Sequence, residues 1–462
     1  MSVTDVTTPA GATTAEGSAR TRADAGPVAP NPALPPPAPR TLAEAGLGES
    51  FLTQLVLKIL HFSSDLTGFE LGRRLGLEFS VFEPILETLK RTHQCEVFGG
   101  GMVGGPSFQY RITDEGRRRA LLFLDQSRYI GAAPVPLAQY RRYLAAYAGA
   151  VPRTATRDRV REAFSHLVLP QKVLDQVGPA VAAGHSMFVY GPPGNGKTVI
   201  AQGIRHLLDG EIAIPHALEV EGQVVKVFDP INHEPIEETR RDVGLTSDGG
   251  GDARWVRCRR PMVMVGGELT LEALDLVSSP GLGYYAAPVQ LLATGGVLVI
   301  DDFGRQRCPP RDLLNRWIVP LESRVDFYTL ETGQKFEVPF MTLVVFATNI
   351  RPAELVDEAF LRRIHYKVFA ESPTRADFAQ IFENYCRQRD LRYDPALVDH
   401  LLSEYFRPRG IQIRGCHPRD LIEQALAHAE YTGAVPELTP ELLEAACAGY
   451  FVDDTENAAV LD

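Results

Sequence analysis

The chain has 462 residues, 45% of them hydrophobic and 23% charged, the usage of a globular protein long enough for two to four domains. A formal charge of −11, from 47 basic and 58 acidic residues, argues against a surface coated in nucleic acid while leaving room for a local basic site. No run approaches the ~18 apolar residues of a membrane span, and six scattered cysteines without a Cys-x-x-Cys pair argue against metal clusters and disulfides and for a reducing cytoplasm.

Residues 1–40 are Ala, Pro, Thr and Gly with almost no large apolar side chain, so they cannot offset their own ordering entropy and read as a disordered tail. The segment also lacks the continuous apolar core of a signal peptide. From 41 to 126 the pattern is helical and then hairpin-like. Phe51, Leu52, Leu55, Leu57, Ile59 and Leu60 form one apolar stripe, 67–75 suggests a second helix, and Val81, Phe82, Ile85, Leu86 and Leu89 line a third over 80–92. Glycines 99–101, 104 and 105 separate two short strands, and Thr113-Asp114 suits the cap of a last helix. Three helices and a hairpin resemble a winged-helix domain. Its charges nearly balance, its candidate recognition helix carries Glu83 and Glu87, and Arg117-Arg118-Arg119 is the single basic cluster, which favours a protein partner over DNA.

Residues 127–156, broken by Gly131, Pro134, Pro136 and Pro152, read as a connector. From 157 to 370 apolar strands alternate with helices, the pattern of an α/β domain over a parallel sheet. A helical segment follows over 371–451, and an acidic tail over 452–462.

The apolar strand 186–190 runs into Gly191-Pro192-Pro193-Gly194-Asn195-Gly196-Lys197-Thr198 and then into helical spacing. Gly-x-x-x-x-Gly-Lys-Thr between strand and helix is a phosphate-binding loop: glycines let backbone N–H groups converge on phosphates, and the helix N-terminus favours negative charge. Lys197 is expected on the β- and γ-phosphates of ATP and the Thr198 hydroxyl on Mg²⁺.

A second apolar strand, 297–300, ends in Asp301-Asp302. Asp301 suits the metal, through water, and Asp302 suits orienting or deprotonating the attacking water. A third, 343–347, ends in Thr348-Asn349, where the amide suits either the lytic water or the γ-phosphate, although Asn at a strand end is often only a turn former. Arg362 and Arg363 close a short helix opened by Asp357; their fixed charge and forked donors fit a neighbour's γ-phosphate. Arg419 opens a late helix and is placed to reach the nucleotide from there.

Together these residues resemble the AAA+ ATPases, in family order: Walker A at 191–198, Walker B at 297–302, sensor 1 at Asn349, the arginine finger at Arg362 or Arg363, and sensor 2 at Arg419. The resemblance spans about 157–450. It implies an α/β P-loop AAA+ sheet flanked by helices, a C-terminal helical lid, ATP hydrolysis with Mg²⁺, and a ring, expected to be a hexamer, that remodels or chaperones a protein client. An ATP-switched DNA-binding regulator is the alternative. Alternating segments 325–330 and 335–338 around a Gly turn are similar to the hairpin before sensor 1 in the MoxR-like, magnesium-chelatase-like and NtrC-like branches. The long interval between Lys197 and Asp301 leaves space for an insert, in which Tyr284 and Tyr285 are either client grips in a ring pore or packing residues. One departure concerns Asp302, where most of the family has Glu. The shorter carboxylate implies either slow hydrolysis or a small backbone shift that brings it forward. The pore-loop sequence of σ54 activators is absent, which disfavours that promoter-activating role.

Overall fold

The strands Met187–Tyr190 (β1), Met262–Val265 (β2), Val297–Ile300 (β3), Leu343–Thr348 (β4) and Tyr366–Phe369 (β5) form one sheet. All its pairings are parallel, in the order β5-β1-β4-β3-β2. β3 and β4 are buried along their whole length, and near-continuous apolar runs are what a sheet covered on both faces demands. One face packs against helices Gln171–Ala183 and Lys197–Leu207 through Val177, Ala180, Ile200 and Ile204. The other packs against helix Pro310–Ser323 through Leu313, Leu314 and Trp317. The order seats β4 between β1 and β3, so the chain segments leaving those three strands emerge side by side. The computed structural model describes residues 33–98, 105–150, 155–236, 251–278, 281–356 and 358–451, and among them no helix is long and apolar enough to cross a membrane.

Ahead of this sheet, helices Glu49–His61, Gly68–Leu75, Phe79–Arg91 and Asp114–Gln126 enclose a three-stranded antiparallel sheet of Leu66–Thr67, Gln109–Ile112 and Cys95–Phe98. Val81, Phe82, Ile85, Leu86 and Leu89 all point inward. Thr67 and Glu70 form a reciprocal capping box, and the Thr113 hydroxyl accepts from Gly116 N–H to start the last helix. The expected hairpin tip, including glycines 99–101 and 104, lies outside the described residues.

Two segments depart from their sequence-based expectation, and a third takes one of the two forms left open for it. Residues 33–40, placed in the disordered tail, run along the body: Asp252 N–H donates to Pro36 O at 2.7 Å, and Pro39 is buried. Residues 127–156, expected as a connector, contain a strand, Val135–Pro136, and a helix, Leu137–Ala150. Tyr140, Tyr143, Leu144 and Tyr147 of that helix are buried against a ribbon of Glu211–Pro215 with Trp255–Arg259 and against the hairpin Val325–Thr329/Lys335–Pro339. Finally, the interval before Asp301 builds a mixed sheet with Val135–Pro136 at one edge and Tyr285–Ala286 inside it. Tyr285 is buried there and its hydroxyl accepts from Glu331 N–H, while Tyr284 packs edge-on against Tyr129 at 5.9 Å between ring centroids. Tyr285 is thus a packing residue, and Tyr284 packs while half-buried.

The chain after β5 forms a separate helical core from Arg375–Gln388, Pro395–His400, a π-helical stretch Leu401–Phe406, His417–Thr432 and Pro440–Tyr450, centred on Phe378, Phe382, Leu421 and Leu443. The acidic tail 452–462 is outside the described residues.

Candidate nucleotide-binding site

The loop after β1 turns sharply back over the sheet end. Gly191 has φ +146°, and a Cβ there would stand 2.5 Å from Ala370 O, so only glycine fits. Gly194, at φ +78°, would place its Cβ 2.6 Å from Cys416 Sγ. The next helix starts at Lys197, with its first N–H groups directed at the loop. Lys197, 7% exposed, donates from Nζ to Gly191 O at 3.1 Å and Pro192 O at 2.8 Å. Burial lowers its pKa from the ordinary lysine value, Asp302 and Asp301 oppose that shift, and Arg414 adds to it.

The acidic strand end lies beside this loop. Thr198 Oγ1 donates to Asp301 Oδ2 at 2.8 Å, bringing a hydroxyl and a carboxylate from elements 103 residues apart into one hard-oxygen pair. That donor set suits Mg²⁺, which takes a few protein oxygens and keeps its remaining positions for water and phosphate. Asp302 has φ +47°, a left-handed conformation that Asp enters more readily than Glu. Its carboxylate accepts from Asn349 Nδ2 at 3.1 Å. Gln306, which has no motif to announce it, holds this turn by accepting from Gly304 N–H and donating to Asp301 O. Asp301, Asp302 and Asn349 are thus brought to the loop containing Gly191, Pro192, Pro193, Gly194, Asn195, Gly196, Lys197 and Thr198.

Arg362 and Arg363 lie elsewhere, while the charge of Arg419 is felt by Cys416, whose Sγ borders Gly194 of the loop. Arg419 bonds to its neighbour Asp420 at 2.8 Å and is felt electrostatically by Glu423, one turn along the same helix. The arginine whose charge reaches Lys197 is Arg414, whose Cδ lies 3.5 Å from a Cβ built on Gly194. Sequence pattern missed it because the loop before the helix, rather than the helix itself, meets the phosphate loop. Just beyond it, burial and then Arg414 push the His417 imidazole down to about 4.

Arg362 and Arg363 stand before β5, at the amino ends of the strands and so at the opposite pole from the loop. Arg362 is 77% exposed and pairs with Glu358; Arg363 is 27% exposed and pairs with Glu322 at 2.6 Å. Asp357, which opens their segment, is outside the described residues. Both arginines line a cavity of about 540 Å³ with His185, Arg324, His365 and Glu322.

Residues 170–239 match the family model of the magnesium chelatase subunit ChlI, and residues 374–449 match a domain of unknown function, DUF8689. No curated protein matches the chain. A RuvB mutant from Thermotoga maritima shares 14% identity over 66% of this chain and 74% of its own, with a TM-score of 0.37. NtrX from Brucella abortus shares 13% over 71% and 60%, and the same protein in complex with ATP 13% over 66% and 57%, both with a TM-score of 0.37. The fold rests on the strand order and the loop. Sheet order and phosphate loop make this an α/β P-loop fold, and its segment 170–239 is similar to the magnesium chelatase subunit ChlI.

Proposed function

We propose that this protein binds ATP with Mg²⁺ and hydrolyses it, and that it works as a homo-oligomeric ring, a hexamer by family resemblance, which remodels a protein client. The observation that carries the enzymatic part is the meeting of Lys197, Thr198–Asp301 and Asp302–Asn349 at one end of the sheet. Lys197 exchanges two loop carbonyls for phosphate oxygens, and the loop N–H groups hold the same anion. Thr198 and Asp301 hold the metal, which when bound neutralises charge on the β- and γ-phosphates. Asp302 accepts the proton of, or orients, the attacking water, and Asn349 fixes the carboxylate in that task. The left-handed backbone at Asp302 supports the alternative in which a backbone adjustment, rather than a longer side chain, sets the carboxylate's position.

The ring is supported by polarity. Phosphate loop and cationic cavity lie at opposite ends of the same strands, so head-to-tail stacking of copies sets Arg362, Arg363 and Arg324 of one against the phosphates of the next. The winged-helix-like N-terminal unit, with its balanced charge, fits a protein client.

The test is ATP turnover per subunit against protein concentration, wild type beside Lys197→Ala. Turnover that rises with concentration and vanishes in Lys197→Ala is expected. Equal turnover in both proteins would overturn the ATPase reading, and a concentration-independent rate would overturn the shared-site ring.

A further inference from the structure

Asn195 occupies a variable position of the phosphate loop, one at which the loop pattern asks for no particular side chain. It is nevertheless 7% exposed and bonded in three directions. Its Nδ2 donates to Ala370 O at 3.3 Å and to Ser372 Oγ at 3.2 Å, both where the chain leaves β5 for the C-terminal helical unit. Its Oδ1 accepts from Gly415 N–H at 3.3 Å, in the loop that opens helix His417–Thr432 of that same unit. Next to it, Cys416 N–H donates to Gly194 O at 2.8 Å. One amide therefore joins the phosphate loop to both the point where the helical unit begins and the segment by which it returns to the nucleotide site. Only an amide carries two donors and an acceptor in one short planar group. A hydroxyl lacks the fork, and a carboxylate lacks the donors.

We propose that Asn195 is a positioning residue that couples occupancy of the phosphate loop to the orientation of the C-terminal helical unit. This rests on the loop binding ATP. When phosphate draws the loop N–H groups toward itself, the Gly194–Asn195 peptide moves, and with it the pull on Gly415, Cys416, Ala370 and Ser372. The helical unit then follows through its two attachment points, which carries Arg414 with it. A two-point attachment sets an angle, whereas a single one leaves a pivot.

The experiment is hydrogen exchange of amides 414–421 with and without saturating Mg²⁺–ATP, alongside kcat, in the full chain. Wild type is expected to show nucleotide-dependent protection at Gly415 and Cys416. Asn195→Ala, at saturating nucleotide, is expected to lose that protection and at least 10-fold in kcat. Asn195→Asp keeps the acceptor for Gly415 while losing the donors to Ala370 and Ser372, and is expected to retain protection at 415. Ser372→Ala removes one arm without touching the loop, and is expected to weaken protection partway; it serves if Asn195→Ala fails to fold. Wild-type protection and kcat in Asn195→Ala, or in Ser372→Ala where Asn195→Ala does not fold, would overturn the coupling. Failure of the wild type itself to bind ATP would overturn the ATP reading and not this one in isolation.

Discussion

Asn349 at the end of β4 donates from Nδ2 to Asp302 Oδ1 over 3.1 Å, joining two strand-end turns that meet only because β3 and β4 are neighbours in the sheet. The bond fixes a carboxylate whose backbone is left-handed, at a position where a loose side chain would wander into solvent. Asp302→Asn should therefore lower kcat by about 10²- to 10⁴-fold, the range for losing a general base. Asn349→Ala leaves the carboxylate present but unheld and should cost about 10- to 100-fold. Steady-state kinetics with a separate nucleotide-binding measurement checks both, since binding should survive in each variant.

The cationic cavity predicts complementation between copies. Arg362→Ala and Arg363→Ala should each spare ATP binding, because neither side chain is near the loop of its own chain, while at least one abolishes turnover. Mixing the inactive arginine variant with Lys197→Ala should restore part of the activity, as some interfaces then pair an intact loop with an intact arginine. No recovery at any mixing ratio would mean that each chain completes its own site.

Arg254 is 1% exposed and paired with Asp252, and it also donates to Ala45 O, Pro134 O and Gln139 Oε1. Through it the N-terminal helical unit is bonded to the segment that leads into the ribbon strand Trp255–Arg259. Arg254→Met leaves the Asp252 charge buried without its partner, which should cost about 3–5 kcal/mol. Denaturant melts should show this loss, and pairing it with Asp252→Leu should recover part of it, because the second change removes the stranded charge.

Lys58 tests the interior from another side. It is buried, donates to Ser127 O at 3.0 Å, and burial lowers its pKa to about 8 from the usual 10.5. Below pH 8 both folded and unfolded chains carry the charge, and folding bears the full desolvation cost. Between pH 8 and 10.5 the unfolded chain holds a proton that the folded chain releases, so stability should rise with pH across that window. Lys58→Met should stabilise the protein at pH 7 by about 1 kcal/mol and flatten the rise. Denaturation midpoints at pH 7, 8, 9 and 10 read both effects.

The grouping of the candidate nucleotide-site residues was legible in sequence as far as it is local. A strand, a glycine loop and a helix in immediate succession leave little choice of geometry. Apolar runs ending in Asp301-Asp302 and Asn349 declare buried strands whose exits must lie at one sheet edge. Tertiary structure alone decided the remainder, because those choices depend on what packs where. The tyrosines of helix Leu137–Ala150 have helical spacing, yet their burial needs strands that come some 70 residues later, as when Tyr143 OH accepts from Ala213 N–H. Tyr285 became a core residue once its strand paired with Gln223–Lys226. Asn195 acquired its three partners from segments 175 to 220 residues away, and the charge of Arg414, which no pattern singled out, reaches Lys197 because a loop, not a helix, closes over the site. Spacing along the chain specifies which groups share an element; only the folded core brings the elements close enough for hydrogen bonds between them.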